Sequence, residues 1–155
     1  MNKVIVVNPS KCSGCRSCEV VCSMVKESEA GIYKSRIKTL RYPDENFFLP
    51  RVCFQCERPY CISVCPTEAI SKDRGSGVVK IDGEKCNGCG VCSESCPFGA
   101  IFIWDLVAVK CDLCGGQPAC IKYCEREAII YSEPKEISMD KKNLIAVIKK
   151  LGAFN

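Results

Sequence analysis

The sequence predicts a small α+β fold made of two similar units, with an added helix near the C-terminus. Three observations predict it. Sixteen cysteines fall into four groups of four along 155 residues. Short apolar runs rich in Val and Ile are bounded by Gly, Pro, Asp and Ser, the pattern of short strands and tight turns. One order of events also recurs: a cysteine loop, a brief helical turn, then a strand.

Taken in chain order, Val4–Val7 (VIVV) reads as a strand. Ser17–Lys26 reads as a helix that opens inside the first cysteine group, and Arg36–Arg41 as a strand. Phe47 and Phe48 lie between Pro43 and Pro50 in a hairpin or loop that covers a site or meets a partner. Tyr60–Val64, Val91–Ser95 and Ala119–Tyr123 read as short helices, each enclosing the third cysteine of its group. Val78–Ile81, Ile101–Trp104, Val107–Lys110 and Ala128–Tyr131 are the remaining strands. Pro66 and Pro97 follow a fourth cysteine and end the helical turn, because proline has no N–H with which to continue it. In the tail, Ser138–Leu151 places Leu144, Ile145, Val147, Ile148 and Leu151 on one helical face, with Ser138 or Asp140 as cap.

The cysteine spacing carries the chemistry. Cys12, Cys15, Cys18 and Cys22 follow C-x2-C-x2-C-x3-C, as do Cys86, Cys89, Cys92 and Cys96. This is a bacterial 4Fe-4S spacing, in which the fourth cysteine ligates the other cluster of a pair. Cys53, Cys56, Cys61 and Cys65, and Cys111, Cys114, Cys120 and Cys124, widen the middle gap and keep the terminal C-x3-C. Three thiolates on one tight loop reach three irons of a cubane, and inward N–H groups form a nest for the anion. Gly14, Gly88, Gly90, Gly115 and Gly116 are expected to supply the positive φ angles of these loops. Zinc knuckles need no third cysteine at this spacing, and disulfides predict no such repeat. Four groups thus account for all sixteen cysteines as ligands of four 4Fe-4S clusters.

Composition narrows the function further. The chain has no histidine, which excludes His-ligated haem, Rieske centres, Cys2His2 zinc fingers and a histidine acid–base catalyst. Its formal charge of +4 falls to roughly −4 if each cubane with its thiolates carries ~−2. The basic residues therefore offset buried anions, and no nucleic-acid partner is expected. Met1–Ser10 has one lysine and a short apolar run, whereas a secretory signal needs ~7–15 apolar residues. No twin arginine precedes it, and no stretch nears the roughly 20 apolar residues of a membrane span. The expectation is a cytoplasmic, anaerobic protein with reduced cysteines and Met1 as its native start.

Spacing alone leaves the pairing of groups open. The second and third are neighbours across Gly77–Asp82 (GVVKID), which favours a nested arrangement; pairing one with two and three with four is the alternative. The stretches CSGCRSCEVVCS, CFQCERPYCISVCPTEAI, CNGCGVCSESCPFGAI and CDLCGGQPACIKYCEREAI resemble the four-cluster ferredoxin-like subunits of multi-subunit molybdenum and tungsten oxidoreductases, over about residues 3 to 132. Cys111-Asp112-Leu113-Cys114-Gly115-Gly116 is similar to the small subunits of tungsten aldehyde:ferredoxin oxidoreductase-type complexes.

The resemblance implies two ferredoxin-like units, one inserted in the other. Residues 1–50 and 105–132 would form the outer unit, 51–104 the inner one and 133–155 the tail. It also implies the ligand sets Cys12, Cys15, Cys18 and Cys124; Cys22, Cys111, Cys114 and Cys120; Cys53, Cys56, Cys61 and Cys96; and Cys65, Cys86, Cys89 and Cys92. A large catalytic subunit with a molybdenum or tungsten pterin, aldehyde oxidoreductase-like, and a second electron donor or acceptor are the implied partners. Two positions depart from the family pattern. Glu125 stands where proline usually follows the last cysteine, and Ser23 follows Cys22, which puts the local turn in question.

The expected function is a wire that passes single electrons and has no active site of its own. No G-x-G-x-x-G follows a strand and there is no P-loop; Gly88-Cys89-Gly90 belongs to a cysteine loop. A free polyferredoxin diffusing between enzymes is the alternative. An iron–sulfur module on nucleic acid would want a basic surface interleaved with aromatics. Lys34, Arg36, Lys38 and Arg41 read as a solvated edge strand or a docking face. The tail helix is expected on its own body, on a partner subunit or on a membrane surface, and Trp104 in the core between the units.

Overall fold

The computed structural model describes residues 3–133. The predicted tail, with its helix over 138–151, lies outside the described residues. Among the described residues, eight short strands pair into four antiparallel two-stranded sheets. β1 (Val4–Val7) pairs with β8 (Ile129–Ser132), with Val4 opposite Ser132, so strands far apart in sequence lie side by side. The other three sheets are local: β2 (Lys38–Tyr42) with β3 (Phe47–Arg51), β4 (Ile70–Lys72) with β5 (Val79–Ile81), and β6 (Ile101–Trp104) with β7 (Val107–Lys110). Among the described residues, no helix is long and apolar enough to cross a membrane.

Helix α1 (Ser17–Glu27) starts behind Arg16 and ends at Ser28, both left-handed; the Ser28 N–H bonds the Met24 carbonyl at 3.1 Å. Helices α2 (Tyr60–Ser63) and α3 (Val91–Glu94) are single turns, while Ala119–Tyr123 is a 3-10 turn entered through Pro118 where an α-turn is predicted.

A two-stranded sheet is marginal alone, so these sheets depend on what they bury. One core gathers Ile5, Val7, Ile37, Leu49, Val52, Phe54, Phe98, Leu113 and Ile129, with the Phe54 and Phe98 rings 4.4 Å apart. A second gathers Ile70, Val79, Ile101 and Ala108. Each fully buried aliphatic contributes roughly 1.5–3 kcal/mol, but cysteines complete both clusters. The apolar interior is built around thiols.

Three expectations are corrected. The strand after α1 begins at Lys38, not Arg36. The Arg36 N–H is committed to Cys22 Sγ (3.3 Å), and Ser35 Oγ bonds the Ile37 carbonyl (2.6 Å), so neither feeds a ladder. The basic stretch is a solvated edge only in part: Arg41 is exposed and the Lys34 side chain is 43% exposed, but two of its charges are not. Arg36 is half-buried between Glu27 (3.3 Å) and Asp112 (3.2 Å), and Lys38 donates to the carbonyls of Ile32 and Tyr33. Trp104 is half-buried outside both cores. It stacks on Phe102 (centroids 5.8 Å apart) with the Lys38 ammonium 5.6 Å from its ring.

Candidate metal centres

The four cysteine loops share one backbone feature. The residue just before each second cysteine has positive φ: Gly14 (71°), Gln55 (49°), Gly88 (70°) and Leu113 (59°). In the fourth loop Cys114 and Gly115 are left-handed in succession, while in the first and third the residue after that cysteine is, at Arg16 and Gly90, with the cysteine between not so. Such alternation turns successive N–H groups to one side, the concave nest that holds an anion. Gln55 and Leu113 accept this conformation without being glycine, at a cost of order 1–3 kcal/mol each. Two glycines also allow close contact: a Cβ on Gly14 would strike the Phe48 ring, and one on Gly88 the Leu106 backbone.

Four cavities open over these loops, and each is lined by four cysteines. Site 1 has Cys12, Cys15, Cys18 and Cys124; site 2 has Cys22, Cys111, Cys114 and Cys120. Site 3 has Cys53, Cys56, Cys61 and Cys96; site 4 has Cys65, Cys86, Cys89 and Cys92. Every cavity draws three cysteines from one sequence group and its fourth from another. Among the described residues, no three His, Cys, Asp or Glu side chains could hold a single metal ion together. A cubane asks instead that its thiolates be spread over four irons, which is what a donor set around a cavity provides.

The four sites adjoin one another in the order 1, 2, 3, 4. Cys120 of site 2 is near enough to Cys18 of site 1 for their charges to interact, and Cys111 of site 2 is likewise near Cys53 of site 3. Sites 3 and 4 share α2, which holds Cys61 and leads into Cys65, and α3, which holds Cys92 and leads into Cys96. Only the two end sites have an exposed cysteine, Cys15 in site 1 and Cys89 in site 4.

One turn delivers an N–H to the fourth cysteine three times over. In Cys65-Pro66-Thr67-Glu68, Cys96-Pro97-Phe98-Gly99 and Cys124-Glu125-Arg126-Glu127, the last residue is left-handed and its N–H bonds the cysteine carbonyl at 3.4, 3.0 and 2.9 Å. The next N–H then reaches the thiol: Ala100 to Cys96 Sγ at 3.4 Å, Ala128 to Cys124 Sγ at 3.2 Å, with Ala69 serving Cys65. Glu125 thus makes the turn its proline counterparts make. At Cys22 there is no such turn: α1 runs on through Ser23, and the Arg36 N–H supplies the bond from across the fold.

Burial opposes ionisation of free thiols inside the sites. It pushes Cys18 and Cys111 up to about 12 and Cys61 to about 11, and it raises Cys120 further still. Exposed Cys15 is lowered, chiefly by the Ser17 hydroxyl at 3.5 Å. At Cys65, burial is outweighed by Thr67, whose Oγ1 lies 3.7 Å from the sulfur. Metal ligation needs thiolates, so loading the inner cysteines releases protons that the fold otherwise retains.

Several residues around the sites escape a reading of the sequence. Glu19 is fully buried in α1, held by Arg16 through two 3.0 Å bonds, and accepts the Thr39 N–H at 2.8 Å. This fixes Thr39 on the wall of site 1, where its buried Oγ1 has no well-formed hydrogen bond yet lies near enough to Cys18 to favour the thiolate. An orphaned hydroxyl facing a cavity fits an anion that accepts from it. Asp112 stays below the ordinary carboxylate range although burial works against it, because Lys26 (2.7 Å), the Cys114 N–H and Arg36 outweigh that cost. It ties α1 to the fourth cysteine loop.

The comparisons place the chain among iron–sulfur proteins. Residues 44–134 match the family model of the 4Fe-4S dicluster domain. The chain is 42% identical over 123 residues to the polyferredoxin-like subunit of an aliphatic sulfonate oxidoreductase from Pyrococcus furiosus, covering 77% of this chain and 70% of that one. It is 34% identical over 154 residues to a ferredoxin of Methanocaldococcus jannaschii, covering 96% of this chain and 92% of the relative. Among solved structures, a chain of the active site complex BamBC of benzoyl coenzyme A reductase superposes with TM-score 0.50 at 25% identity, over 97% of this chain and 90% of that one.

Proposed function

The chain belongs to the 4Fe-4S dicluster family, and from that membership we propose that it is an electron-transfer subunit carrying four 4Fe-4S clusters in a row between a catalytic oxidoreductase subunit and a second redox partner. The observation that carries this is the four cavities, each lined by four cysteines, with an exposed cysteine only at the two ends. Each cluster, when bound, takes up and gives back one electron, its potential set by hydrogen bonds, charge and exposure. The protein's residues do the rest. The positive-φ loops aim N–H groups at an anion, and the N–H groups of Arg36, Ala100, Ala108 and Ala128 bond Cys22, Cys96, Cys86 and Cys124. The apolar walls of site 3, among them Phe54, Phe98 and Val79, exclude water from an inner position.

The ligand sets are those of the nested arrangement, with 51–104 inserted in a unit made of 1–50 and 105–132. The β1–β8 pairing and the mixed origin of each cavity's cysteines support it. The chain has no active site of its own and works in the cytoplasm, where thiols stay reduced. Its catalytic partner is a tungsten or molybdenum pterin subunit of the aldehyde oxidoreductase type. The Cys111-Asp112-Leu113-Cys114-Gly115-Gly116 stretch supports that class, and a relative named as a subunit of an aliphatic sulfonate oxidoreductase supports a catalytic oxidoreductase partner of some kind. A free carrier is the second reading, supported by the ferredoxin relative that the chain matches over 92% of its length. Anaerobic size-exclusion of extract from the native source decides: elution with a larger tungsten- or molybdenum-containing subunit supports docking, and elution alone supports the free carrier.

A further inference from the structure

Lys110 is a lysine with almost no access to water; 3% of it is exposed. Strand β7 alternates, with Ala108 and Lys110 turned inward and Val107 and Val109 outward, so the period of the strand drives this side chain into the interior. Lys11 and Lys85, which also precede a first cysteine, are exposed.

Inside, the Lys110 ammonium meets only neutral acceptors. Nζ donates to the Cys111 carbonyl at 2.9 Å and to Gln55 Oε1 at 3.4 Å. Gln55 is itself fixed: its Nε2 donates to the same Cys111 carbonyl at 2.8 Å, and its Oε1 accepts the Val79 N–H at 2.9 Å. Among the described residues, Lys110 pairs with no carboxylate, whereas Lys26, Arg16 and Arg36 all do. A buried cation needs compensating negative charge. The groups whose charge it meets are cysteines on either side, Cys111 of site 2 and Cys61 of site 3.

We infer that Lys110 is the built-in counter-ion of the two inner clusters, a positioning residue that raises the potentials of sites 2 and 3 together and leaves sites 1 and 4 unchanged. This rests on the cluster reading proposed above. One added electron makes a cubane more negative, and a fixed cation in a low-dielectric interior favours that state. Lys110 is bonded to the Cys111 carbonyl in the loop of site 2 and to Gln55, beside Cys56 in the loop of site 3, so it lowers the cost of placing an electron on either inner site. The electron comes from the neighbouring reduced cluster, which is oxidised by one as the inner one is reduced by one. No bond forms or breaks.

The test compares wild type, Lys110→Met, Lys110→Arg and Gln55→Glu, prepared anaerobically as full chains. Iron and acid-labile sulfide are assayed first, followed by potentiometric titration monitored by EPR. Lys110→Met is expected to keep its iron and to show two of four midpoints lowered by about tenfold in the reduction equilibrium, 59 mV for one electron. Lys110→Arg restores them. Gln55→Glu sets a carboxylate beside the intact lysine and lowers the same two midpoints. Unchanged midpoints in Lys110→Met, or a shift shared by all four, would overturn the inference. If Lys110→Met fails to load, Gln55→Glu decides alone, and unchanged midpoints there overturn it too. Wild type without sulfide would overturn the cluster reading itself, a separate failure visible before any titration.

Discussion

Replacing Gly88 with alanine and comparing it with the same change at Gly90 isolates one contact at site 4. Both glycines have positive φ, 70° and 81°, so both alanines bear the left-handed cost of about 1–2 kcal/mol. Their surroundings differ. A Cβ on Gly88 would lie 2.8 Å from the carbonyl carbon and 2.9 Å from the Cα of Leu106, whereas one on Gly90 meets nothing within 4 Å. Backbone cannot rotate away as a side chain can, so Gly88→Ala must part the third cysteine loop from the β6–β7 turn. Overpacking of this kind adds roughly 1–3 kcal/mol, which is about tenfold to a hundredfold in an equilibrium. The assay is chelator-driven loss of visible absorbance from anaerobic holoprotein. Gly88→Ala should release about a quarter of its iron at least tenfold faster than Gly90→Ala, which bears the left-handed cost alone. Equal release from both would refute the loop geometry.

Nesting has its own test: Cys12→Ala and Cys124→Ala should each cost one cluster, and the double variant no more than one, because both line site 1. Sequential pairing would cost the double variant two. Thr39→Val removes the orphaned hydroxyl on the wall of site 1; iron content should hold while the potential of that site falls by roughly 60 mV or less, read by EPR titration. For the iron-free chain, the buried thiols of Cys18, Cys61 and Cys111 have folded pKa values above the ordinary range. The folded state therefore holds more protons, and its stability is present below about pH 8.5 and lost as pH rises towards those values. Circular dichroism from pH 7 to about 11 should show residual apo structure fading while the holoprotein, already thiolate, is spared.

The sequence and the fold agree best where chemistry fixes the chain. Strands Val4–Val7, Ile101–Trp104 and Val107–Lys110 are where the apolar runs place them, and the expected glycines do have positive φ. The four cysteine groups are legible because a cluster dictates spacing. What the sequence hides follows from context. Strand β3 contains Pro50, which argues against a central strand, yet in a two-stranded sheet every strand is an edge and Pro50 sits opposite Thr39 without harm. Strand β4 has only three residues, too few for a period to show. Arg36 looks like one charge in a solvated row, and nothing local announces that Glu27 and Asp112 await it. Glu19 and Lys110 look exposed for the same reason; their burial is decided by partners distant in sequence, Thr39 at one and Gln55 at the other.

Iron and acid-labile sulfide, assayed on anaerobically prepared protein, test the central claim most directly. Four cubanes predict about 16 irons and about 16 sulfides per chain. Zinc without sulfide, or about 8 of each with eight thiols still free to react, would contradict it.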